Sequence, residues 1–495
     1  MSSSSNPDVR LHRAAGWILG GTVLLSVFIY LLTSRLYFQI GFPLDDAWIH
    51  QTYARNLVLY REWSFLPGHP SGGSTSPLWS GLLAIGYLLH LAPYLWTYAL
   101  GACGLWAGAM LAETTVRVLV PDYRSRFPWV GILLALEWHL VWAALSGMET
   151  MLYGLLVISV MALLVRRERK PLGLGILIGL SVWVRPDGIT LLAPAAVVLL
   201  LGEDSWPRRI RALVNLGVGC GGLAALYLFF NLLVAGSPLP NTFFAKQAEY
   251  AVYQQIPFVR RLVEEALPPL VGVGVALLPG AALALIAAVR RRAWGILACV
   301  AWYVGDIGMY AWRLPVTYQH GRYLIPAMPV LFVVGMAGFV EFIARKKSSL
   351  QWVVSRGWGL AAGLILLIFW GMGAFAYAQD VAVIDSEMVA TARWVAKNVP
   401  PGDLVAAHDI GALGYFGGHD LVDLAGLVNP EVIPFITDEA RIEAYLNERR
   451  VAYLVTFPSW YPLLTHGLHP VFTTGAPYAP SQGGENMAVY LWPGR

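Results

Sequence analysis

The chain has 495 residues and a formal net charge of +4 at neutral pH. Its composition is 57% hydrophobic and only 13% charged, and its mean hydropathy is +0.58. Because an average soluble domain contains roughly 25% charged residues, these values exclude a soluble globular chain and indicate an integral membrane protein. No basic stripe with interleaved aromatic residues suggests a nucleic-acid partner.

Eleven apolar segments approach the length needed to cross a hydrocarbon core about 30 Å thick, which takes about 20 helical residues. They are residues 15–37, 77–95, 97–119, 148–165, 171–184, 189–202, 212–235, 267–289, 294–311, 323–344 and 353–377. The first segment is too long for the core of a signal peptide, and no small-residue cleavage site follows it. We therefore expect it to remain as a membrane anchor.

Clusters of Lys and Arg between these segments predict the orientation, because short basic loops stay in the cytoplasm. The clusters are Arg166–Lys170, Arg208–Arg211, Arg290–Arg292 and Arg345–Lys347. With the N-terminus also in the cytoplasm, the outer loops are residues 40–76, 185–188, 236–266 and 312–322. The chain after about residue 378 is predicted to lie outside as well.

The stretch at 127–147 is also apolar enough to cross, but a single extra crossing would invert every later loop. We therefore predict a re-entrant segment or a broken pair of half-helices. This choice leaves Arg117, Arg124 and Arg126 on the outer side, against the charge rule. The predicted fold is a polytopic α-helical membrane protein with about 11 transmembrane helices and one re-entrant segment.

The chain changes character after about residue 378, where helical periodicity covers residues 385–398. Short strand-like runs follow at residues 404–407, 421–424 and 452–457. We therefore predict a transmembrane domain at 1–377, which contains the first outer loop at 40–76, and an extracytoplasmic α/β domain at 378–495.

Two adjacent carboxylates, Asp45 and Asp46, follow the first apolar segment where a membrane helix would reach water. One explanation is that Asp46 caps a helix that runs to about Tyr60, while Asp45 is solvated at the lipid interface. The alternative is that one carboxylate accepts a proton from an attacking hydroxyl group, which a like-charged neighbour favours by raising its proton affinity. The pair could also hold a divalent cation, although two carboxylates alone are a weak signal.

Further polar residues fall in the predicted outer loops or at their edges. They are Glu149, Arg185, Asp187, Asn241, Lys246, His320 and Arg322. Taken alone, each has a simple explanation, such as snorkelling of a cation, pairing of Asp187 with Arg185, or helix capping by Glu149. Taken together, carboxylates in one loop and cations in three others suit a phosphate leaving group and a hydroxyl acceptor.

Other polar residues give weaker signals. Four lie among predicted turns of the C-terminal region, where we favour a structural role: His408, Asp409, Asp420 and Asp423. His466 and His469 lack partners at metal-ligand spacing, which argues against a zinc site. The three cysteines all lie within apolar segments, so no disulfide framework is implied.

Several stretches resemble the GT-C glycosyltransferases, which are polytopic membrane enzymes that use polyprenyl-phosphate sugars and carry an acidic motif in the first outer loop. The stretches are LDDAWIHQTYARNL, PGHPSGGSTSPLW, SGMET, VRPDG, PLPNTFFAK, HGRYLIPAMP and DIGALGYFGGHDLVDLAGLVNP. Their order along the chain carries the resemblance. Within the family, the chain is most similar to the mycobacterial terminal arabinofuranosyltransferase branch.

The resemblance implies transfer of a sugar, for example the pentofuranose arabinose, from a polyprenyl-phosphate donor to a glycan or lipid acceptor. It places this reaction at the outer face of a bacterial plasma membrane, with Asp45 or Asp46 as the general base. The donor-binding residues that it implies are Arg185, Lys246, His320, Arg322, Glu149, Asn241, Tyr53 and Arg55. No cofactor is implied, apart from the open option of a divalent cation at Asp45 and Asp46.

Two other classes of protein compete with this hypothesis. A transporter or flippase of a lipid-linked saccharide also carries ionisable residues at membrane level, but near the bilayer midplane and within paired, broken helices. A non-catalytic scaffold is disfavoured because the polar motifs converge on one face.

Overall fold

The computed structural model describes residues 7–166, 170–202, 205–344 and 348–493, so the basic cluster at 345–347 lies outside the described residues. The first ten helices are α1 (Pro7–Tyr37), α2 (Asp46–Leu59), α3 (Pro77–Leu88), α4 (Pro93–Leu119), α5 (Trp129–Leu136), α6 (Trp138–Leu145), α7 (Thr150–Arg166), α8 (Pro171–Val184), α9 (Leu192–Gly202) and α10 (Trp206–Ala235). The others are α11 (Asn241–Glu249), α12 (Phe258–Ala266), α13 (Val273–Arg291), α14 (Trp294–Arg313), α15 (Tyr318–Gly321), α16 (Met328–Ala344), α17 (Ser349–Ile384), α18 (Ala390–Asn398), α19 (Glu439–Glu448) and α20 (Tyr478–Ser481). The strands are β1 (Ser64–Leu66), β2 (His69–Pro70), β3 (Val405–Ala407), β4 (Leu421–Asp423), β5 (Tyr453–Thr456), β6 (Pro470–Thr473) and β7 (Ala488–Leu491).

Apolar helices form most of the molecule. Among the described residues, seven helices are long and apolar enough to cross a membrane, and four shorter apolar helices accompany them. Together these eleven helices coincide with the eleven apolar segments predicted from the sequence. The polytopic helical fold is therefore confirmed, although two segments take different paths from those predicted.

The stretch at 127–147 forms the two half-helices α5 and α6, as predicted. α5 begins near the C-terminal end of α4, where Glu113 Oε2 accepts a hydrogen bond from the N–H of Gly131 at 3.2 Å. α6 ends near the first turns of α4, where a Cβ on Gly101 would lie 1.7 Å from the carbonyl oxygen of Ala144. These two contacts are about 18 Å apart along α4. The pair therefore advances along α4 from near its C-terminal end toward its first turns and does not return to the side where it began.

α3, in contrast, stays at one end of the bundle. Near its start, Trp79 Nε1 donates to the carbonyl oxygen of Gly147 at 2.9 Å. Near its end, the Tyr87 hydroxyl donates to the hydroxyl of Tyr415 in the C-terminal region at 3.1 Å. Both contacts lie at the end of the bundle that the C-terminal domain covers, which we call the domain end. Because α3 spans only about 18 Å, it does not match the crossing predicted at 77–95.

Because α5 and α6 advance along the bundle and α3 does not, the conflict with the charge rule disappears. Arg166, in the last turn of α7, donates Nη2 to Thr114 Oγ1 near the end of α4 at 2.8 Å. The loop after α4 therefore lies at the same end of the bundle as the basic cluster that begins at Arg166. Arg117, Arg124 and Arg126, which were predicted on the outer side, belong to this basic end.

Small residues allow the helices to pack closely, as is common between membrane helices. α8 and α10 meet where a Cβ on Gly175 would lie 2.2 Å from the carbonyl oxygen of Leu216. α13 and α16 meet where a Cβ on Gly338 would lie 1.9 Å from the carbonyl oxygen of Gly280. Larger side chains at these positions would force the helices apart.

The C-terminal region folds around a five-stranded sheet with the order β4-β3-β5-β7-β6. β3 pairs in parallel with β4 and β5, whereas β7 pairs antiparallel with β5 and β6. The three predicted strands correspond to β3, β4 and β5, while β6 and β7 were not predicted. Ile442 and Leu446 of α19 are fully buried with Ala406, Val422 and Leu454 of the sheet.

Asp45 connects the C-terminal domain to the segment between α1 and α2. Its two carboxylate oxygens accept hydrogen bonds from the N–H groups of Gly411 at 2.7 Å and Ala412 at 2.8 Å. Burial and the nearby Asp409 carboxylate raise the pKa of Asp45 to about 8, against the two N–H donors, which favour the anion. α2 begins at Asp46 without a side-chain cap, so the prediction that Asp46 caps this helix was wrong.

We expect Asp45→Ala to loosen the C-terminal domain, because it leaves two buried N–H groups without an acceptor. Each such group costs about 1–3 kcal/mol. Limited proteolysis of the purified protein should show faster cleavage near residue 411 than in wild type. Asp420→Ala, at an exposed position of the same domain, serves as the control and should leave the cleavage rate unchanged. Equal protection of Asp45→Ala and wild type would refute the anchoring role.

Candidate active site

A cavity of about 500 Å³ lies at the domain end of the bundle, between α2, α11 and the turns that follow α8 and α14. Its charged and ionisable lining residues are Asp46, His50, Glu149, Arg185, Asp187, Lys246, Tyr310, Arg313, Arg322 and Tyr323. Its apolar wall includes Ile49, Met148, Ile189, Leu239, Phe243, Met309, Trp312, Leu314 and, from the C-terminal domain, Leu427. The cavity thus combines a charged wall with a wall suited to a hydrocarbon chain.

Asp46 and Arg322 form an ion pair on the cavity wall, with Asp46 Oδ2 2.7 Å from Arg322 Nη2. Arg322 is only 6% exposed, and its Nε and Nη1 atoms are buried without a hydrogen-bond partner. A buried guanidinium group with two unsatisfied donors has the hydrogen-bonding capacity to bind the oxygens of an anion.

Lys246, on α11, adds a second cation to this part of the cavity. Burial opposes ionisation of Asp46, but the charges of Lys246 and Arg322 outweigh it and hold the pKa of Asp46 well below its usual range. Asp46 is therefore an anion at neutral pH as long as both cations face it.

Arg185, which also lines the cavity, lies in a compensated network. Its Nε is 3.1 Å from Asp187 Oδ1, and its Nη2 donates to the Tyr310 hydroxyl at 2.5 Å. The Tyr310 hydroxyl in turn donates to Asp187 Oδ2 at 2.5 Å. Glu149 Oε1 is 3.8 Å from Arg185 Nη1. Because two carboxylates share its charge, Arg185 is a weaker anion site than Arg322.

His50 joins this network although the sequence did not single it out. Its Nε2 lies 3.4 Å from Glu149 Oε2, and its Nδ1 lies 2.9 Å from Ser80 Oγ. His50 follows Asp46 by four residues on α2, so both side chains lie on the same face of the helix. That spacing was the available signal in the sequence.

The structure brings together five of the ten predicted site residues: Asp46, Glu149, Arg185, Lys246 and Arg322 line the cavity. The other five make structural contacts around it. Asp45 holds the C-terminal domain, and Arg55 Nη1 donates to the carbonyl oxygen of Tyr415 at 2.7 Å. The Tyr53 hydroxyl lies 2.7 Å from Ser71 Oγ, and Asn241 Nδ2 donates to the carbonyl oxygen of Leu427 at 3.1 Å.

His320, the fifth of these residues, does not line the cavity and pairs with Asp380 of α17. Its Nε2 lies 2.8 Å from Asp380 Oδ2, and its ring packs edge-on against Trp138 and Trp142. It belongs to α15, which is a left-handed turn rather than a regular helix, because Gln319, His320 and Gly321 have φ angles of 53°, 62° and 67°. Such backbone conformations persist only where the surroundings hold them, and they cluster at functional sites.

This turn sets the position of Arg322, which follows it directly. We expect Gly321→Ala to impair activity, because the new Cβ would be strained at this φ and would lie 2.6 Å from Pro268 Cβ. Gly236→Ala is the matched control, since Gly236 also has a φ of 67° but has no atom within 4 Å of the new Cβ. Both variants should lose about 1–2 kcal/mol of stability from backbone strain.

Activity and thermal unfolding measured on both variants separate the two effects. Both variants should unfold at a similarly lowered temperature. Only Gly321→Ala should lose more activity than this shared loss of stability accounts for. A Gly321→Ala variant with undiminished activity would show that the left-handed turn does not aim Arg322.

No group of three or more His, Cys, Asp or Glu side chains with metal-ligand geometry occurs in the described ranges of the chain. Asp45 and Asp46 diverge, one toward the C-terminal domain and the other toward Arg322. The arrangement of this pair therefore does not fit the cation site considered from the sequence.

Comparisons with known proteins concern the fold and one domain. The Archaeoglobus fulgidus oligosaccharyltransferase in its apo form is similar over 88% of this chain and 69% of its own, with 12% identity and a TM-score of 0.59. ArnT from Cupriavidus metallidurans bound to undecaprenyl phosphate is similar over 96% of this chain and 98% of its own, with 14% identity and a TM-score of 0.57. The chain has a GT-C-like fold.

The apo state of the same ArnT gives 14% identity and a TM-score of 0.57 over 97% of this chain and 98% of its own. A family model described as a domain of unknown function (DUF8728) matches residues 377–490, which contain the five-stranded sheet. No curated protein matches the sequence. Identities of 12–14% show the GT-C-like fold and do not extend to substrate or mechanism.

Proposed function

We propose that the protein is a membrane glycosyltransferase that moves a sugar from a polyprenyl-phosphate donor to a hydroxyl group of an acceptor. The observation that carries this proposal is Arg322, a buried guanidinium group with two unsatisfied donors beside the carboxylate of Asp46. A phosphate group matches the donors of arginine, and a carboxylate beside it can serve the acceptor hydroxyl.

The apolar wall supports a lipid-linked donor. Phe243, Met309 and Leu314 line the cavity, and Trp312 lines it while 62% of its surface remains exposed. A polyprenyl chain could leave the cavity along this wall toward the hydrocarbon core. The ArnT structure of similar fold was solved with undecaprenyl phosphate bound, which is a lipid of this chemistry.

The proposed reaction is a substitution at the anomeric carbon of the donor sugar. The acceptor oxygen forms a bond to that carbon, while the bond from the carbon to the phosphate oxygen breaks and its electron pair leaves with polyprenyl phosphate. Arg322 and Lys246 neutralise the charge that develops on the leaving phosphate. Asp46 takes the proton of the acceptor hydroxyl, which assigns the role of base to the second member of the acidic pair.

Donor binding would also prepare this base. Asp46 is a weak base while Arg322 pairs with it, because the ion pair depresses its pKa. A phosphate group that takes over the guanidinium donors would weaken this ion pair and raise the proton affinity of Asp46. The base would thus become effective only when a donor occupies the cavity.

Glu149 and Arg185 are proposed to hold the sugar ring, because they line the same cavity as the ion pair of Asp46 and Arg322 and lie within 3.8 Å of each other. A pentofuranose such as arabinose is the donor sugar to test first, on the strength of the motif resemblance. His320, Tyr53, Arg55 and Asn241 are now proposed to position the site rather than to contact the donor.

We also propose that the domain end faces outward across a bacterial plasma membrane and that the basic end faces the cytoplasm. The basic residues at the ends of α4, α7 and α13 support this orientation. The acceptor would then be a glycan or lipid of the cell envelope.

The test uses purified protein in lipid nanodiscs with a panel of polyprenyl phosphates that carry radiolabelled pentoses or hexoses. We expect one donor to be consumed, with the label passing to an acceptor or to water and with release of polyprenyl phosphate. Movement of an intact donor across liposomes without bond cleavage would instead show a flippase. Failure to consume any donor that binds would contradict the proposal.

A further inference from the structure

A polar patch on the C-terminal domain adjoins the cavity, and the chemistry proposed at Asp46 does not use it. We call it the His408 patch, and it consists of Glu249, His408, Asp409, Trp460 and Tyr461. His408 Nδ1 lies 2.7 Å from the Tyr461 hydroxyl, and its Nε2 lies 3.5 Å from Glu249 Oε1. The Trp460 ring packs edge-on against the imidazole, with the ring centres 5.1 Å apart.

The patch reaches from solvent to the edge of the cavity. Trp460 is 47% exposed at its outer end. Glu249 follows Lys246 by three residues on α11, so one face of this helix serves both the patch and the cavity. Burial raises the pKa of Asp409 to about 6, and the charges of His408, Asp46 and Lys246 all act on this carboxyl group. Asp409, next to His408 in the chain, is therefore within electrostatic reach of both Asp46 and Lys246.

Asp409 also has a carboxylate oxygen that is free to accept a hydrogen bond. Its Oδ2 atom is buried and lacks a hydrogen-bond partner. An unsatisfied carboxylate oxygen of this kind can accept a hydrogen bond from a ligand hydroxyl. Glu249, whose carboxylate lies next to His408 Nε2, could accept a second hydrogen bond from the ligand.

We propose that the His408 patch is an acceptor subsite that binds an uncharged glycan and presents one of its hydroxyl groups to Asp46. The inference rests on the proposed function and names its acceptor class. The apolar C–H face of a sugar ring can pack on the exposed indole of Trp460, while its hydroxyl groups meet the oxygens of Asp409 and Glu249. The same two carboxylates repel a phosphorylated or carboxylated acceptor, so the patch selects against anionic glycans.

The test measures glycan binding to the full-length protein in nanodiscs without any donor, by saturation-transfer NMR. The probes are neutral hexasaccharides of arabinose, galactose, mannose and glucose, together with a glucose hexasaccharide that carries one phosphate group. We expect at least one neutral hexasaccharide to bind and the phosphorylated one to bind more weakly than its neutral counterpart. Trp460→Ala should weaken binding about 3- to 10-fold, as expected for an aromatic contact.

Asp409→Asn provides a second variant, which keeps the size of the side chain but loses the charge. This variant should bind neutral glycans more weakly than wild type does, and it should discriminate less against the phosphorylated hexasaccharide. Leu463→Ala and Asp420→Asn are matched controls at exposed positions of the same domain, and both should bind as wild type does.

The binding assay and the donor assay can fail separately. Donor consumption without binding of any neutral hexasaccharide would overturn the acceptor subsite and leave the proposed function intact. Binding that Trp460→Ala and Asp409→Asn leave unchanged would also overturn it. Glycan binding at the patch in a protein that consumes no donor would support the subsite and contradict the transferase.

Discussion

Asp46→Asn is expected to reduce sugar transfer about 10²- to 10⁴-fold, because it removes the carboxylate that accepts the proton of the acceptor hydroxyl. Binding of polyprenyl phosphate should persist or become tighter, since the cavity loses a negative charge that repels phosphate and competes for Arg322. The measurements are kcat for transfer and the Kd for polyprenyl phosphate, obtained on the same nanodisc preparation.

The neighbouring aspartate supplies the comparison. Asp45→Asn should keep transfer within about 10-fold of wild type, because Asp45 contacts the backbone of Gly411 and Ala412 and does not line the cavity. Thermal unfolding of both variants shows whether either effect reflects lost stability. Full activity in Asp46→Asn, or equal losses in the two variants, would contradict the division of roles within the pair.

Arg322→Met is expected to lower kcat/KM for the donor about 10²- to 10³-fold, because it removes the cation with two free donors from the position proposed for the leaving phosphate. Arg322→Lys should recover part of the loss, since lysine restores the charge but not the paired donors of the guanidinium group. The loss should appear in both donor affinity and kcat, because the phosphate gains charge as the bond breaks.

Arg260→Met provides a matched loss of charge on α12, at a position that does not line the cavity. The Arg260 side chain is 70% exposed and pairs only with Glu264 among the contacts described, so donor kinetics should not change. The double variant Asp46→Asn, Arg322→Met should lose less than the sum of the single losses, since the two residues contact each other. An Arg322→Met enzyme with wild-type donor affinity would refute the phosphate role.

The sequence predicted the helices well and their paths less well. Hydropathy located every apolar segment, because lipid-facing and buried helices both require apolar side chains. It could not distinguish α3, which stays at the domain end, from the broken pair α5 and α6, which advances along α4 toward the domain end. The distinction depends on tertiary contacts, such as the hydrogen bond from the N–H of Gly131 to Glu113. It also depends on where each helix ends, which the sequence predicts only to within a few residues.

The candidate site shows a similar limit. The sequence placed Asp46, Glu149, Arg185, Lys246 and Arg322 in outer loops or at their edges, and they do share one cavity. Adjacent positions at the start of a helix point about 100° apart, so the acidic pair had to diverge, but the sequence did not show which aspartate would face Arg322.

His320 illustrates a conformation that sequence patterns do not reveal. The left-handed turn directs its ring to Asp380, whereas Arg322, two residues later, reaches the cavity. The role now proposed for His408 and Asp409 likewise depends on packing between the C-terminal domain and α11. Contacts between distant segments decide both cases, and single-sequence periodicity carries no information about them.

The most direct test of the central claim is a cryo-electron microscopy map of the protein in nanodiscs with polyprenyl phosphate bound. We predict phosphate density within hydrogen-bond distance of Arg322 Nε and Nη1, with Asp46 displaced from the guanidinium group and the lipid chain along Phe243 and Trp312. Phosphate density outside this cavity, with the ion pair of Asp46 and Arg322 intact, would contradict it.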